Sequence, residues 1–244
     1  MKVSVILPAA GLGTRMAKQP DIAAGASRKQ FLQLEGSPIL IHTIRKFVSC
    51  TSVSEIIVAL RAEDIEWVRE MVDRERFSKP VRLVEGGESR QESVRNALAT
   101  LGDGDADLVA VHDAVRPFVD PETVEHVIAA AAENGAAIVG IVPVDTVKEA
   151  HKNKVRATLP REHLILTQTP QVFRLPLLRE AYAKADADGF HGTDESSLVE
   201  RLETVEVSIV MGSDRNIKIT RPTDLEVAKL FLAAERATAE GAGH

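Results

Sequence analysis

Two glycines and a scattered set of cations carry the chemistry that this sequence offers. Residues 8–16 read Pro-Ala-Ala-Gly-Leu-Gly-Thr-Arg-Met and follow directly on the apolar run Val3 to Leu7. Gly11 and Gly13 permit a bend that larger residues would obstruct, and such a bend turns backbone N–H groups toward an anion. Arg15 adds a permanent positive charge to the same loop. A strand that runs into a glycine loop with a cation is the pattern of a nucleotide phosphate site. Two kinds of site are excluded by spacing. No lysine follows the second glycine, as a P-loop requires. A dinucleotide loop needs a third glycine where this chain has Met16, and the ~40 residues to the end of the second strand are too many for that fingerprint.

What remains is a loop wrapped around a triphosphate that is attacked at its α-phosphorus. A phosphate nucleophile there brings anion to anion, at a cost of ~4 kcal/mol for each pair of unit charges about 4 Å apart at an effective dielectric near 20. Several cations and a metal must offset that repulsion. The chain offers Arg15 and Lys29 around the first loop, Arg116 after the fourth strand, Arg161 in a hairpin and Lys218 in a late strand.

The elements that must position these residues alternate. Val3–Leu7 reads as a buried strand, and Ser37-Pro38 as the N-cap and first-turn proline of a helix with Leu40, Ile44, Phe47 and Val48 on its apolar face. Strands follow at 55–60, 81–84, 108–111 and 136–142. Between them lie helices marked by Ile65, Val68 and Val72, by the capping box Ser89-Arg90-Gln91-Glu92, and by Asp120-Pro121 with a stop at Asn134-Gly135. This alternation predicts an α/β fold with a doubly wound, mostly parallel sheet, whose ligands bind beyond the carboxyl ends of the strands. Loops 8–16, 86–93 and 112–117 then share one edge. Residues 145–172 break the rhythm. Val147, Val155, Ala157 and Leu159 alternate with polar residues about a turn at 151–154, which predicts a protruding β-hairpin arm. Either the arm is a solvated excursion or it packs on a partner subunit. Strands near 205–210 and 217–219 and a terminal helix from about 222 complete the expectation of one domain spanning 1–244.

Composition narrows the class. The chain has 244 residues, 44% hydrophobic and 27% charged, and a net charge of −6, which leaves no overall electrostatic footprint for nucleic acid or an anionic membrane. No stretch approaches the ~20 apolar residues of a membrane span, and the short N-terminal apolar run is unlike an export signal, so a cytoplasmic location is expected. Cys50 is the only cysteine, and its place at the end of an apolar helix predicts a buried, inert thiol.

Taken in order, the segments resemble a known family. Pro8-Ala9-Ala10-Gly11-x-Gly13-x-Arg15-Met16 and Lys29-Gln30-Phe31 resemble the nucleotide loop of cytidylyltransferases. There follow 86–94 (Gly-Gly-Glu-Ser-Arg-Gln-Glu-Ser-Val), 112–117 (His-Asp-Ala-Val-Arg-Pro), 143–148 (Pro-Val-Asp-Thr-Val-Lys), Thr169-Pro170-Gln171, Thr193-Asp194-Glu195 and Asn216-Ile217-Lys218. Across the whole chain this order is similar to the 2-C-methyl-D-erythritol 4-phosphate cytidylyltransferases of the non-mevalonate isoprenoid pathway. The resemblance implies a Rossmann-like nucleotidyltransferase domain that uses CTP, methylerythritol phosphate and magnesium. It implies that Pro8, Ala9, Ala10, Gly11, Gly13, Gly87, Arg90 and Ser93 bind the nucleotide, with Arg15 and Lys29 stabilising the transition state. Arg161 and Lys218 would position the acceptor phosphate, whose own oxygen attacks. Asp113, Arg116, Thr146, Thr169 and Thr193 would complete the acceptor site, with Asp113 also close to the metal. The arm would cross to a second subunit of a homodimer and complete the neighbour's site. One departure stands out: the stretch from Ala17 to Arg28 is longer than usual, and Arg28 replaces a customary proline before Lys29. Lys18 and Arg28 therefore become rival cations, and the small residues 22–27 suggest a mobile lid. Ribitol-5-phosphate cytidylyltransferases share most of these motifs; the full acceptor set with Arg161 favours methylerythritol phosphate. A sugar-1-phosphate nucleotidyltransferase or a non-catalytic nucleotide-binding module fits less well.

Overall fold

The computed structural model describes residues 1–11 and 28–241, without the side chains of 239–241. Strand β1 (Val3–Pro8) is buried along nearly its whole length, as expected of a strand covered by helices on both faces. A short antiparallel pair, β2 (Gln33–Leu34) and β3 (Ser37–Pro38), precedes α1 (Ile39–Val48). The first half then alternates: β4 (Val53–Leu60), α2 (Ala62–Glu75), β5 (Val81–Glu85), α3 (Arg90–Ala99), β6 (Leu108–Val111), α4 (Pro121–Asn134) and β7 (Ala136–Ile141). The hairpin β8 (Lys148–His151) and β9 (Lys154–Thr158) follows, then β10 (Leu166–Arg174), α5 (Leu175–Asp188), α6 (Glu195–Glu200), β11 (Ser208–Met211) and α7 (Pro222–Gly241).

Among the described residues, seven strands form one sheet in the order β11-β7-β10-β6-β1-β4-β5. All neighbours are parallel except β10, which runs antiparallel to both β6 and β7. One face buries Ile44, Phe47 and Val68 with the helices that carry them, while the other buries Val94, Leu98, Phe173 and Leu178. A smaller cluster of Leu32, Leu34, Phe118 and Ile219 lies under α7. Each sheet face is thus sealed by helices, and the strand ends are left to form the site.

Several local readings change. Ser37 does not cap α1; it lies in β3, and Pro38, at φ −60° and ψ 148°, is the residue that enters the helix. Pairing across a four-residue turn thus takes precedence over capping. The Ser89 hydroxyl does accept from Glu92 N–H at 3.0 Å, but the Glu92 carboxylate reaches Glu88 N–H rather than Ser89 N–H. Residues 217–219 are not a strand: Ile219 N–H donates to Val115 O, so the segment bonds to a loop instead of a ladder. The late strand is 208–211. Finally, the arm is shorter than 145–172. Residues 166–172 belong to β10 in the middle of the sheet, because Val172 and Phe173 are fully buried against both cores. The arm proper turns at Lys152 and Asn153, with φ of 47° and 61°. Two successive positive φ values match the right-handed twist of the strands they join.

Candidate active site

Chain connections leave β1 toward β4 and β5 on one side and return to β6 on the other. The carboxyl ends of β1 and β6 therefore flank the point where the winding reverses, the usual ligand position in such sheets. A cleft of about 290 Å³ opens there, between residues 8–11, Lys29 and Gln30, the 87–93 segment, and Asp113 to Val115. A second cleft of about 260 Å³ adjoins it, lined by Arg116, Thr167 to Thr169, Gln171, Thr193 and Asp194. Arg90, Asp113 and Lys218 line both. One wall of charged side chains separates, and belongs to, two binding spaces.

Asp113 is the centre of that wall. It is 7% exposed, and its carboxylate takes Arg90 Nε at 3.2 Å, Lys218 Nζ at 2.9 Å and Arg116 Nε at 3.4 Å. Burial alone would raise its pKa, but the charges of Arg90, Lys218 and Arg116 outweigh it and hold the group well below the usual carboxylate range. Behind it, Arg90 Nη1 donates to both oxygens of Glu195, at 2.7 and 2.8 Å. Glu195 is 1% exposed and also accepts from Tyr182 Oη at 3.1 Å. Its backbone is held too: Gln171 Oε1 accepts from Glu195 and Ser196 N–H.

Neighbouring loops are stitched to this wall. Gln30 Nε2 donates to Ala9 O at 2.6 Å and to Gly11 O at 3.3 Å, which ties Lys29 to the first loop. A Cβ on Gly86 would sit 2.7 Å from Ala10 Cβ, so only glycine lets the 86–93 segment pack there. Ser93 Oγ accepts from Gly87 N–H and donates to Ser89 O, which fixes the turn. His112 is fully buried, and its Nε2–H donates to Arg116 O. With that proton placed, Nδ1 accepts from the Thr169 hydroxyl at 3.0 Å, which in turn accepts from Asp113 N–H. Desolvation pushes the His112 pKa down to about 4, against the pull of the Arg116 carbonyl. Arg116 Nη1 donates to Asn216 O, and Asn216 Nδ2 to Thr169 O, which anchors the loop carrying Lys218.

Most residues singled out in the sequence meet here. Pro8, Ala9, Ala10, Gly11, Lys29, Gly87, Arg90 and Ser93 line the first cleft, with Asp113 and Lys218. Arg116, Thr169 and Thr193 line the second. A bulge in β10 presents Gln168 and Thr169: four steps from Thr167 to Gln171 oppose two steps from Gly140 to Ile138. Thr193 is exposed, and the cap of α6 is Asp194, which accepts from Ser197 N–H. Lys218 stands in a loop rather than a strand. Arg161 and Thr146 line neither cleft. Arg161 follows the hairpin in a short 3-10 turn and donates to Val144 O at 2.6 Å. Gly13, Arg15 and Lys18, with the stretch 17–27, lie outside the described residues. Arg28 is not a cation of the cleft: it pairs with buried Asp64 on α2 and lies 5.6 Å from the Phe31 ring centre. Cys50 is buried, its thiol pushed up to about 12 by desolvation. Sequence reasoning missed Gly86, Gln30, His112 and Glu195 as supports. Each stood inside a quoted motif, but only contact partners distant in sequence reveal its task.

A family model described as "IspD: 2-C-methyl-D-erythritol 4-phosphate cytidylyltransferase" matches residues 3–234. A protein of that name from Solibacter usitatus is 62% identical over 241 residues, covering 97% of this chain and 98% of the relative. Another from Acidobacterium capsulatum is 51% identical over 95% of this chain and 98% of its own. Among solved structures, 4-diphosphocytidyl-2C-methyl-D-erythritol synthase from Anaerococcus prevotii superposes with a TM-score of 0.82 at 30% identity, covering 95% of this chain and 96% of that one. The 2-C-methyl-D-erythritol 4-phosphate cytidylyltransferase of Thermus thermophilus gives 0.74 at 33% identity, covering 95% and 98%.

Proposed function

The chain belongs to the 2-C-methyl-D-erythritol 4-phosphate cytidylyltransferase family and moves the cytidylyl group of CTP onto that phosphate, and from this premise we propose how its residues divide the work. The products are 4-diphosphocytidyl-2-C-methyl-D-erythritol and pyrophosphate. CTP takes the first cleft, with its triphosphate along the first loop beside Arg15 and Lys29, and its base and ribose against 86–93. The acceptor takes the second cleft, and its phosphate oxygen attacks the α-phosphorus in line while pyrophosphate leaves opposite. The observation that carries this reading is the shared wall of Arg90, Asp113 and Lys218, since an attacking and an attacked phosphate must meet at one cationic boundary.

Lys218 is the mobile charge of that wall. Its side chain is 40% exposed, and its Asp113 contact is one that a phosphate can take over. The donor set suits magnesium. Asp113 already holds three cations on roughly four lone-pair positions, and no cluster of three or more ligating side chains occurs among the described residues. A hard ion would therefore be held mainly by CTP phosphates and water, with Asp113 as its protein carboxylate. When bound, it neutralises charge on the triphosphate.

The arm supports a homodimer. Val144 and Val155 are 78% and 64% exposed, and nearly every residue of β8 and β9 faces solvent. Arg161 and Thr146, absent from both clefts of their own chain, would then complete the partner's acceptor site. We place the reaction in the cytoplasm, in keeping with a single cysteine kept as a buried thiol. No helix among the described residues is long and apolar enough to cross a membrane.

Subunit complementation tests the shared site. Arg161→Ala and Lys218→Ala each lose turnover by about 100-fold or more in pyrophosphate release, while calorimetry finds CTP affinity nearly unchanged. Mixing and reassociating the two variants yields half hybrid dimers, each with one intact site, and so restores about a quarter of wild-type activity. No recovery on mixing overturns the shared site. Faster turnover of ribitol phosphate than of methylerythritol phosphate overturns the acceptor assignment.

A further inference from the structure

Arg90 was expected to contact nucleotide, yet most of its guanidinium is already committed to protein. Nε is on Asp113 and Nη1 is on both oxygens of Glu195. The Nη2 hydrogens have no protein acceptor among the described residues, and the side chain, 27% exposed, lines both clefts. Glu195 in turn is buried, braced by the Tyr182 hydroxyl from α5 and by Gln171 from β10. The charges count as three cations, Arg90, Arg116 and Lys218, against two carboxylates, Asp113 and Glu195, for a net of +1.

Resting on the reaction assigned above, we propose that Glu195, braced by Tyr182, is a positioning residue for cytidylyl transfer. It fixes Arg90 as the standing counter-ion of Asp113, so that Lys218, the most exposed of its partners, can leave that carboxylate for a substrate phosphate. The physical need is specific. When a phosphate draws Lys218 away, Asp113 depends on Arg90 and Arg116 as its protein counter-ions, and loss of Arg90 as well would leave a buried carboxylate poorly compensated, an unfavourable state. Arg90 cannot follow the phosphates, because Glu195 holds its far end with two charge-assisted bonds. Asp113 therefore stays paired throughout, and its backbone N–H stays on Thr169. Without Glu195, Arg90 would swing to the phosphates with Lys218 and the wall would lose its fixed geometry. The network thus separates a cation that must stay, Arg90, from one that must move, Lys218.

Steady-state pyrophosphate release with CTP, methylerythritol phosphate and Mg²⁺ tests this on the full-length protein. Glu195→Gln keeps the shape but not the charge, and is expected to lower kcat about tenfold or more while KM for CTP stays within about threefold. Wild-type kcat in a folded E195Q overturns the proposal. If that variant does not fold, Tyr182→Phe, which removes one hydroxyl, is expected to lower kcat about two- to fivefold, and an unchanged kcat overturns it equally. Chemical rescue supplies a readout that a merely structural role would not move. Millimolar guanidinium restores part of the activity of Arg90→Ala but not that of the R90A/E195Q double variant; equal rescue of both overturns the role of Glu195. A wild-type enzyme inactive with methylerythritol phosphate would instead refute the assigned reaction.

Discussion

Replacing Asp113 by asparagine keeps the shape of the wall and removes the charge on which it is organised. Asp113 is 7% exposed and lies within 2.9 to 3.4 Å of three cations. Deleting one partner of a buried ion pair costs about 3–5 kcal/mol, and three orphaned cations argue for roughly 4 kcal/mol. In a chain of this size each kcal/mol lowers Tm by about 2–4 °C, so the variant is expected to melt about 8–16 °C below wild type. The dependence on pH has a definite sign. Because Arg90, Lys218 and Arg116 depress the Asp113 pKa against the effect of burial, the carboxylate contributes its full stability above the unfolded pKa of about 3.9. That contribution is lost as pH falls from there toward the native value. The gap between wild type and Asp113→Asn is therefore constant from pH 8 to 5 and narrows below about pH 4. Saturating methylerythritol phosphate narrows it too, since its phosphate supplies a missing anion to a wall whose net charge has risen from +1 to +2 (three cations, one carboxylate). Scanning calorimetry across pH 3.5–8, with and without methylerythritol phosphate, checks each part. A gap below about 1 kcal/mol at pH 7, or one that widens on acidification, would refute the reasoning.

Two further predictions follow from the supports of the site. Arg28→Ala and Asp64→Asn each raise KM for CTP about three- to tenfold with little change in kcat, because the Arg28–Asp64 pair fixes the turn that delivers Lys29. A double-mutant cycle should return a coupling of about 1 kcal/mol or more, and strict additivity would show that the pair does nothing for the nucleotide. His112→Asn melts below wild type at pH 7 but loses less stability on acidification. The native ring, at about 4, lies below its unfolded pKa near 6.5, so wild type loses stability as pH falls through that window. Parallel pH-melting curves for the two proteins would exclude a buried neutral imidazole.

The parts of this fold that were legible in the sequence are those that obey local rules. Val3–Leu7, 55–60 and 108–111 are apolar runs that only a doubly covered strand accommodates, and all three lie in the sheet. Asp120-Pro121 and Gly135 bound α4 because capping chemistry is decided within four residues. Failures occur where a distant partner decides. Residues 166–172, Leu-Thr-Gln-Thr-Pro-Gln-Val, have too few apolar residues to tell an arm from a sheet strand, and only the docking of Val172 and Phe173 on two cores selects the sheet. Residues 217–219 have strand composition but find a loop at Val115 as their partner. The same logic divides the site. Lys29, Arg116 and Lys218 were picked out because phosphate chemistry requires cations, and Asp113 through the family resemblance; all four line the two clefts. Glu195 was not, because its task is to hold another side chain 105 positions away.

These two classes of residue answer to different physical demands, and the distinction bears on how the reaction is achieved. A phosphate that attacks a phosphate brings its own nucleophile, so the protein need not generate one; it must supply positive charge that is available when substrates arrive and harmless when they are absent. Free buried cations would repel one another and weaken the fold. Cations locked in closed ion pairs would not release. The wall avoids both: Lys218, 40% exposed, shares with Arg116 a carboxylate whose remaining partner, Arg90, is held from behind. Release of Lys218 is then inexpensive because it leaves toward solvent and phosphate, whereas release of Arg90 would strand Glu195, 1% exposed, without its ion-pair partner among the described residues. Of the three cations on Asp113, Lys218 is the most exposed, at 40% against 27% for Arg90 and 12% for Arg116, and burial thus makes it the first to break away.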